Sequence, residues 1–188
     1  MTSDQAYDLS KFVEDTRRIT REIKEDKKIV AAITPLVQKF AATLDLDNDD
    51  FYDCNEEQGF SLHMLHEEED HSNAVFLFAW LPGRGTQAHN HKTWGVVVGL
   101  KGKETETWWR RLDDGSKPGQ ATLEQQSEHI LKPGSVSAFL SEDIHTVWNH
   151  TDEISLTLHA YGKHINYTGR SEFDPEAGTE KPYILTVN

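Results

Sequence analysis

Three histidines carry the strongest chemical signal in this chain. His89 and His91 flank Asn90, and His145 lies far downstream. On a strand, a His-x-His pair sends both rings to one side, because side chains alternate with period two. The pair sits in the stretch Gly83-x5-His89-x-His91-x3-Gly95-x6-Gly102, and the third histidine in Gly134-x10-His145-x3-Asn149. The glycines fall where flanking turns need a residue without a Cβ. Three neutral imidazoles suit iron, zinc, copper or nickel, whereas magnesium and calcium prefer oxygen ligands. Such a set leaves adjacent positions free, which suits a non-haem Fe(II) site open to a substrate and dioxygen. The other seven histidines (His63, His66, His71, His129, His150, His159 and His164) are by default hydrogen-bonded surface or core residues.

A second group of polar residues alternates along one segment. Thr157, His159 and Tyr161 point to one face of a strand and form a hydrogen-bonded relay toward the metal. Tyr161 would donate to bound substrate or oxygen, with His159 orienting it. Trp80 and Trp94 are expected to pack near the metal without a direct role. Trp108 and Trp109 place one indole inward and one outward, and an exposed indole would mark an oligomer contact. Asn149 is expected to fix the loop after His145.

The elements that must position these residues fall into two parts. From about Asp8 to Leu46 the apolar residues Phe12, Ile19, Ile23, Ile29, Val30, Ile33, Val37 and Phe40 recur at helical spacing. Asp8 or Ser10 can cap the start, and Pro35 is expected to open a new helix at its first turn. The segment 44–55 is acidic and turn-rich and ends the arm. From Phe60 onward, short apolar runs are broken by Gly, Pro, Asn and Asp. The runs 75–80, 95–100, 104–110, 135–140 and 154–161 read as strands, and their regular spacing indicates a sandwich or barrel. The charged segments 67–70 and 113–120 read as exposed turns. The tail after Arg170 has little periodicity and is expected to wrap the barrel.

At 188 residues the chain is long enough for a proper core in one domain with a helical arm. Its hydrophobic content of 36% and charged content of 27% are ordinary for a globular protein. A net charge of −13 argues against nucleic acid and anionic membranes as partners, because the long-range field repels both. No apolar run is long enough to span a bilayer. The first residues lack a signal-peptide pattern, and the single cysteine, Cys54, excludes an internal disulfide. A cytoplasmic location is the natural expectation, and the oligomeric state stays open.

The two glycine–histidine stretches resemble the two cupin motifs, with Gly95 where the usual cupin carries a glutamate ligand. The resemblance implies a mainly β fold, a cupin double-stranded β-helix over 51–188 with an N-terminal helical arm over 1–50. More narrowly, the chain resembles the cysteine dioxygenase family of thiol dioxygenases, and most closely its bacterial 3-mercaptopropionate dioxygenase branch. His89-Asn90-His91-Lys92-Thr93-Trp94-Gly95 is similar to that branch's His-Asp-His-x-x-Trp-Gly. Asp143-Ile144-His145 is similar to its Asp-Ile-His, and Thr157-x-His159-x-Tyr161-Gly162 to its Ser-x-His-x-Tyr-Gly. The similarity covers about residues 75–170.

This resemblance implies an Fe(2+) cofactor on His89, His91 and His145, and oxidation of a small thiol to its sulfinic acid by dioxygen. Arg170, nine residues after Tyr161, matches the carboxylate-pairing arginine of the mercaptopropionate branch. The carboxylate-binding arginine of cysteine dioxygenases falls near His63, which is therefore the second expected substrate contact. Where the mammalian branch has a cysteine crosslinked to the active-site tyrosine, this chain has Gly95 and Val96. Cys54 lies outside the motif, so no crosslink is expected. These departures move the expected substrate from L-cysteine toward 3-mercaptopropionate. The alternatives are L-cysteine dioxygenation, another metal-dependent dioxygenase or isomerase acting on a non-thiol small acid, and a non-catalytic metal- or ligand-binding cupin.

Overall fold

Two helices precede every strand in the computed structural model, which describes residues 7–187. Helix α1 (Leu9–Glu22) is capped by Asp8, whose carboxylate accepts the Lys11 backbone N–H, and it ends at the extended Ile23. Helix α2 (Asp26–Ala41) runs straight through Pro35. The expected helix start at Pro35 is therefore corrected: the break falls at 23–25. The proline removes one helical hydrogen bond, leaving the Ala31 carbonyl without its partner, and Ala31 lies on the exposed face where water can take its place.

Eleven strands follow among the described residues. They are β1 (Phe60–His66), β2 (Ser72–Trp80), β3 (Ala88–His89), β4 (Gly95–Lys101), β5 (Glu104–Arg111) and β6 (Leu123–Leu131). After them come β7 (Val136–Phe139), β8 (Ile144–Trp148), β9 (Ser155–Lys163), β10 (Ser171–Asp174) and β11 (Thr179–Pro182). One sheet has the order β1-β2-β9-β4-β7 and the other β11-β10-β3-β8-β5-β6. All pairings between the named strands are antiparallel, and the two sheets face each other as a double-stranded β-helix, the cupin fold.

The first sheet is buried on both faces, so its strands read as continuous apolar runs. On β2, Phe76, Phe78 and Trp80 point into the barrel with Val97 and Tyr161. Val75, Leu77 and Ala79 point the other way, with Val96, Leu156 and Leu158, against Phe12, Ile33, Val37 and Phe40 of the helices. The helical arm thus seals the back of the sheet that carries Thr157, His159 and Tyr161.

The second sheet explains most of what periodicity misses. Strand β6 is an edge strand with mostly exposed polar residues, so it shows no apolar run. The tail after Arg170 forms the hairpin β10–β11, and β10 pairs with β3 beside His89. A bulge between Trp108 and Trp109 separates the two indoles. Trp109 is half-buried and, with Leu123, packs against Ala121, Ile144 and Phe173. Among the described residues, no helix is long and apolar enough to cross a membrane.

Candidate metal centre

His89 on β3 and His145 on β8 face each other directly across the ladder, and His91 follows two residues beyond His89. All three rings are buried, and their prospective ligand atoms lie within 4.8 Å of one another. The expected trio is therefore assembled, with ring centroids 4.8, 4.7 and 5.0 Å apart.

Each ring is held in a state able to bind a metal. His89 Nδ1 lies 2.9 Å from the Gln87 carbonyl, and His145 Nδ1 lies 2.7 Å from Glu106 Oε1. Both oxygens only accept, so each Nδ1 carries a proton and each Nε2 is the ring nitrogen left to face a metal. His91 is stacked on Phe139, and its Nδ1 is buried without a hydrogen-bond partner. Burial, reinforced by the neighbouring histidines, holds His89 and His91 well below the usual histidine range and keeps them neutral. An Nε2 left to face the ion on two rings and an orphaned buried nitrogen on the third fit a divalent transition ion.

Glu106 is the main feature that motif reasoning passes over. Burial works against its charge, but donors from His145, Ser137 and Trp108 outweigh that and hold its carboxyl below the ordinary glutamate value. It acts through His145 as an outer anchor for the ligand set. The alternation Glu104-x-Glu106-x-Trp108 on an inward face is the available signal, obscured because charged residues on a strand usually face water.

The relay is continuous and longer than expected. His159 Nδ1 lies 2.7 Å from the Tyr161 hydroxyl, and His159 Nε2 lies 2.9 Å from Thr157 Oγ1. Trp80 Nε1 donates to the same Thr157 oxygen at 2.9 Å, so Trp80 is more than the packing residue the sequence indicates. Burial keeps His159 neutral and pushes the Tyr161 hydroxyl well above the usual tyrosine range. The Tyr161 ring lies 5.3 Å from that of His91, beside the histidine trio.

Arg170 is 2% exposed, and its Nε and Nη2 are buried without hydrogen-bond partners. Its guanidinium stacks over the Tyr183 ring at 4.2 Å. The Tyr183 ring in turn lies 5.4 Å from that of His89, which places the guanidinium beside the histidine trio. Asn90, between the two histidines, donates its backbone N–H to the Ser171 carbonyl and accepts the Ser171 N–H on its side chain. This double link ties the Arg170 segment to the His-x-His triplet.

His63 lies elsewhere, and the expectation that it contacts substrate is corrected. It pairs with Leu77 across β1 and β2 and shares Leu77's helix-facing side, beside Phe51. Strand alternation turns Leu62, not His63, into the barrel. Trp94 likewise packs toward the helices rather than the metal. Cys54 packs on that outer cluster, its thiol pushed up to about 11 by burial, while Tyr161 belongs to the inner cluster. Asn149 donates to the Trp80 and Glu153 carbonyls and accepts from Thr151, which fixes the turn after β8.

No family model matches the chain. Among solved structures it is similar to an uncharacterised protein with a double-stranded β-helix domain from Klebsiella pneumoniae, at 13% identity and TM-score 0.47, over 70% of this chain and 98% of that one. It is also similar to a cupin superfamily protein from Desulfitobacterium hafniense, at 15% identity and TM-score 0.45, over 65% and 93% of the two chains. An oxalate oxidase solved with the substrate analogue glycolate aligns at 14% identity and TM-score 0.44, over 63% and 62%. These neighbours are cupin-fold proteins, and at such identities the likeness concerns fold alone.

Proposed function

We propose that this protein is an Fe(II)-dependent thiol dioxygenase that converts a small thiol carboxylate, of the 3-mercaptopropionate type, to its sulfinic acid. The observation that carries this reading is Arg170, a buried guanidinium with unpartnered Nε and Nη2 donors, stacked on Tyr183 beside the three buried histidines. A buried cation without a counter-charge is costly, and a bidentate carboxylate is the ligand whose geometry it matches.

The residues divide the work. His89, His91 and His145 would hold the ion without adding a negative charge, which favours an anionic ligand such as a thiolate. Iron(II) bound there would supply open coordination positions and the redox capacity for joining dioxygen to sulfur. Arg170 orients the substrate through its carboxylate, and Tyr161 presents a hydroxyl to the reacting end. In the net reaction the thiol sulfur is oxidised, both oxygen atoms end on it, and the thiol proton ends on the sulfinate or in solvent. The aromatic wall of Phe76, Phe139, Tyr161 and Tyr183 keeps bulk water out.

The test is oxygen uptake by Fe(II)-loaded protein with 3-mercaptopropionate, mercaptosuccinate, L-cysteine and cysteamine, with sulfinate identified by mass. Stoichiometric uptake and sulfinate formation on a carboxylated thiol support the reading. Oxygen uptake with no thiol, but with a non-thiol small acid, would replace it with the second reading that Arg170 allows.

A further inference from the structure

His89, His91, His145, Tyr161 and Arg170 are each no more than 4% exposed, so the metal centre is closed to solvent. An ion can reach a site of that kind only where some part of the wall opens. Tyr183 is the thinnest part of that wall. Its ring lies 5.4 Å from that of His89 and 4.2 Å from the Arg170 guanidinium. The same residue lines a surface cavity of about 430 Å³, together with Gln58, Gln87, Glu172 and Leu185. The Gln87 carbonyl accepts from His89 Nδ1, and Glu172 is the partner of His89 across β10 and β3, so the cavity adjoins that ligand. Tyr183 therefore stands between the outer cavity and the metal centre.

The segment that carries Tyr183 is fastened differently from the strands around it. Residues 183–187 follow β11 and belong to no strand or helix. Tyr183 and Leu185 are buried in the inner cluster and Val187 packs against it, while Ile184 and Thr186 between them are exposed. Among the described residues, the segment's one main-chain bond to another segment runs from the Tyr183 N–H to the Arg170 carbonyl, at 3.1 Å. Two side-chain amides do the rest. Asn166 accepts from the Leu185 N–H at 3.0 Å and donates to the Leu185 carbonyl at 2.8 Å. Gln58 does the same for Thr186, at 2.9 and 3.3 Å. The Gln58 bonds are exposed, so water can replace them one at a time, and such a segment opens at lower cost than a strand inside a ladder.

We propose that segment 183–187 is the gate of the metal centre: an ion enters and leaves through the outer cavity when this strap lifts and withdraws the Tyr183 ring. The cavity suits a cation. Glu57 and Glu172 line it, Glu172 being partly offset by Lys181 at 3.1 Å, and the whole chain carries a net charge of −13. Approach from the back of the first sheet is closed by α1 and α2, which pack against it through Phe12, Ile33, Val37 and Phe40. The inference needs a metal centre but no thiol chemistry.

Metal exchange rates test it. Cobalt(II) binding to metal-free protein, followed by stopped-flow absorbance, gives the entry rate. Transfer of bound cobalt to excess chelator, at a rate independent of chelator concentration, gives the exit rate. A gate acts on both directions alike, whereas damage to the ligand set acts on exit. Gln58→Ala removes two exposed strap bonds and should raise both rates together, by roughly tenfold, with the dissociation constant nearly unchanged. Tyr183→Ala should raise both further. Tyr183→Phe keeps the ring and should match the unmodified protein. Ile33→Val, in the helical arm, controls for general loosening and should change neither rate. Unchanged rates in Gln58→Ala, faster exit with weaker binding, or the same acceleration in Ile33→Val would overturn the inference. Where Tyr183→Ala folds poorly, Gln58→Ala with its exposed bonds decides the matter. Protein that gates cobalt but oxidises no thiol would sink the proposed function alone.

Discussion

Gly95 and Phe139 face each other across β4 and β7, and a Cβ on Gly95 would fall 2.3 Å from Phe139 Cε2. The same added atom would lie 3.0 Å from Tyr161 Cδ1. Position 95 is where the usual cupin carries its carboxylate ligand, and here an aromatic ring occupies the space that such a side chain needs. Phe139 in turn stacks on His91 with centroids 4.2 Å apart, so the lost ligand and the support of a remaining ligand are one packing arrangement.

It follows that Gly95→Ala should destabilise the fold by about 1–3 kcal/mol, because a methyl group must displace a buried ring. Metal affinity should fall with it, since the ring that moves supports His91. Gly95→Glu should not restore a four-ligand site. Denaturation midpoints and metal titration check both, and a stable Gly95→Glu protein with tighter metal binding would contradict the packing argument.

Glu106 anchors His145 at 2.7 Å without reaching the ion site. Glu106→Gln keeps the shape but turns a charged acceptor into a neutral one, and should weaken metal binding by about 10–100-fold. His145→Ala should lose the site outright. Competition against a metal chelator measures both, and an unchanged affinity in Glu106→Gln would remove the anchor role.

The legible parts of this molecule are those where one face of an element is buried and the other follows a simple rule. The His-x-His pair and the Thr157–His159–Tyr161 alternation are visible because strand period and side-chain chemistry agree, whereas Arg170, which lies in no strand, is singled out only by the family resemblance. The fold class is visible in the same way, through short strands at regular spacing. Strand β6 is hidden because an edge strand needs no apolar pattern, and β10–β11 because a short hairpin is specified by its partner β3. His63 is misplaced because counting from Trp80 sets distance along the chain but not parity, and a shift of one residue turns a side chain to the other face. Glu104 and Glu106 escape notice because their inward direction depends on the second sheet closing over them.

Glu104 sets a pH dependence of stability. Its folded carboxyl is raised from 4.5 to about 8, so the native state binds more protons than the unfolded chain between those values. The stability it permits is fully present below the unfolded carboxyl value and is lost as pH rises toward 8. A tenfold difference in proton affinity between the folded and unfolded chain corresponds to about 1.4 kcal/mol, so a loss of a few kcal/mol is expected across the window. Glu104→Gln should remove this slope and be relatively more stable at pH 8 than at pH 5. Urea unfolding at several pH values decides it, and parallel slopes for the two proteins would be the contrary result.

The Tyr161 hydroxyl pairs with His159 Nδ1 at 2.7 Å while its ring packs in the core beside His91. Under the proposed function the hydroxyl acts on the reacting groups rather than on the ligands, so Tyr161→Phe should leave iron content unchanged and lower kcat. Iron analysis beside steady-state rates separates the two. Full activity in the phenylalanine variant would take Tyr161 out of the mechanism.

Under the proposed function, substrate choice depends on Arg170. Its buried Nε and Nη2 have no hydrogen-bond partner among the described residues, so a ligand lacking a carboxylate leaves them unpaired, which typically costs a few kcal/mol. Thiols with a carboxylate should therefore exceed cysteamine in kcat/KM by roughly two orders of magnitude or more. Arg170→Ala should raise KM steeply for 3-mercaptopropionate and change little for cysteamine, collapsing the preference. Arg170→Lys keeps the charge but not the paired donors, and should recover only part of the loss. With His63 turned to the helix side, L-cysteine gains no second contact from that residue and should rank below 3-mercaptopropionate. Cysteamine ranking first, or a ranking unaltered by Arg170→Ala, would show that the guanidinium does not bind the substrate even if the three histidines hold iron.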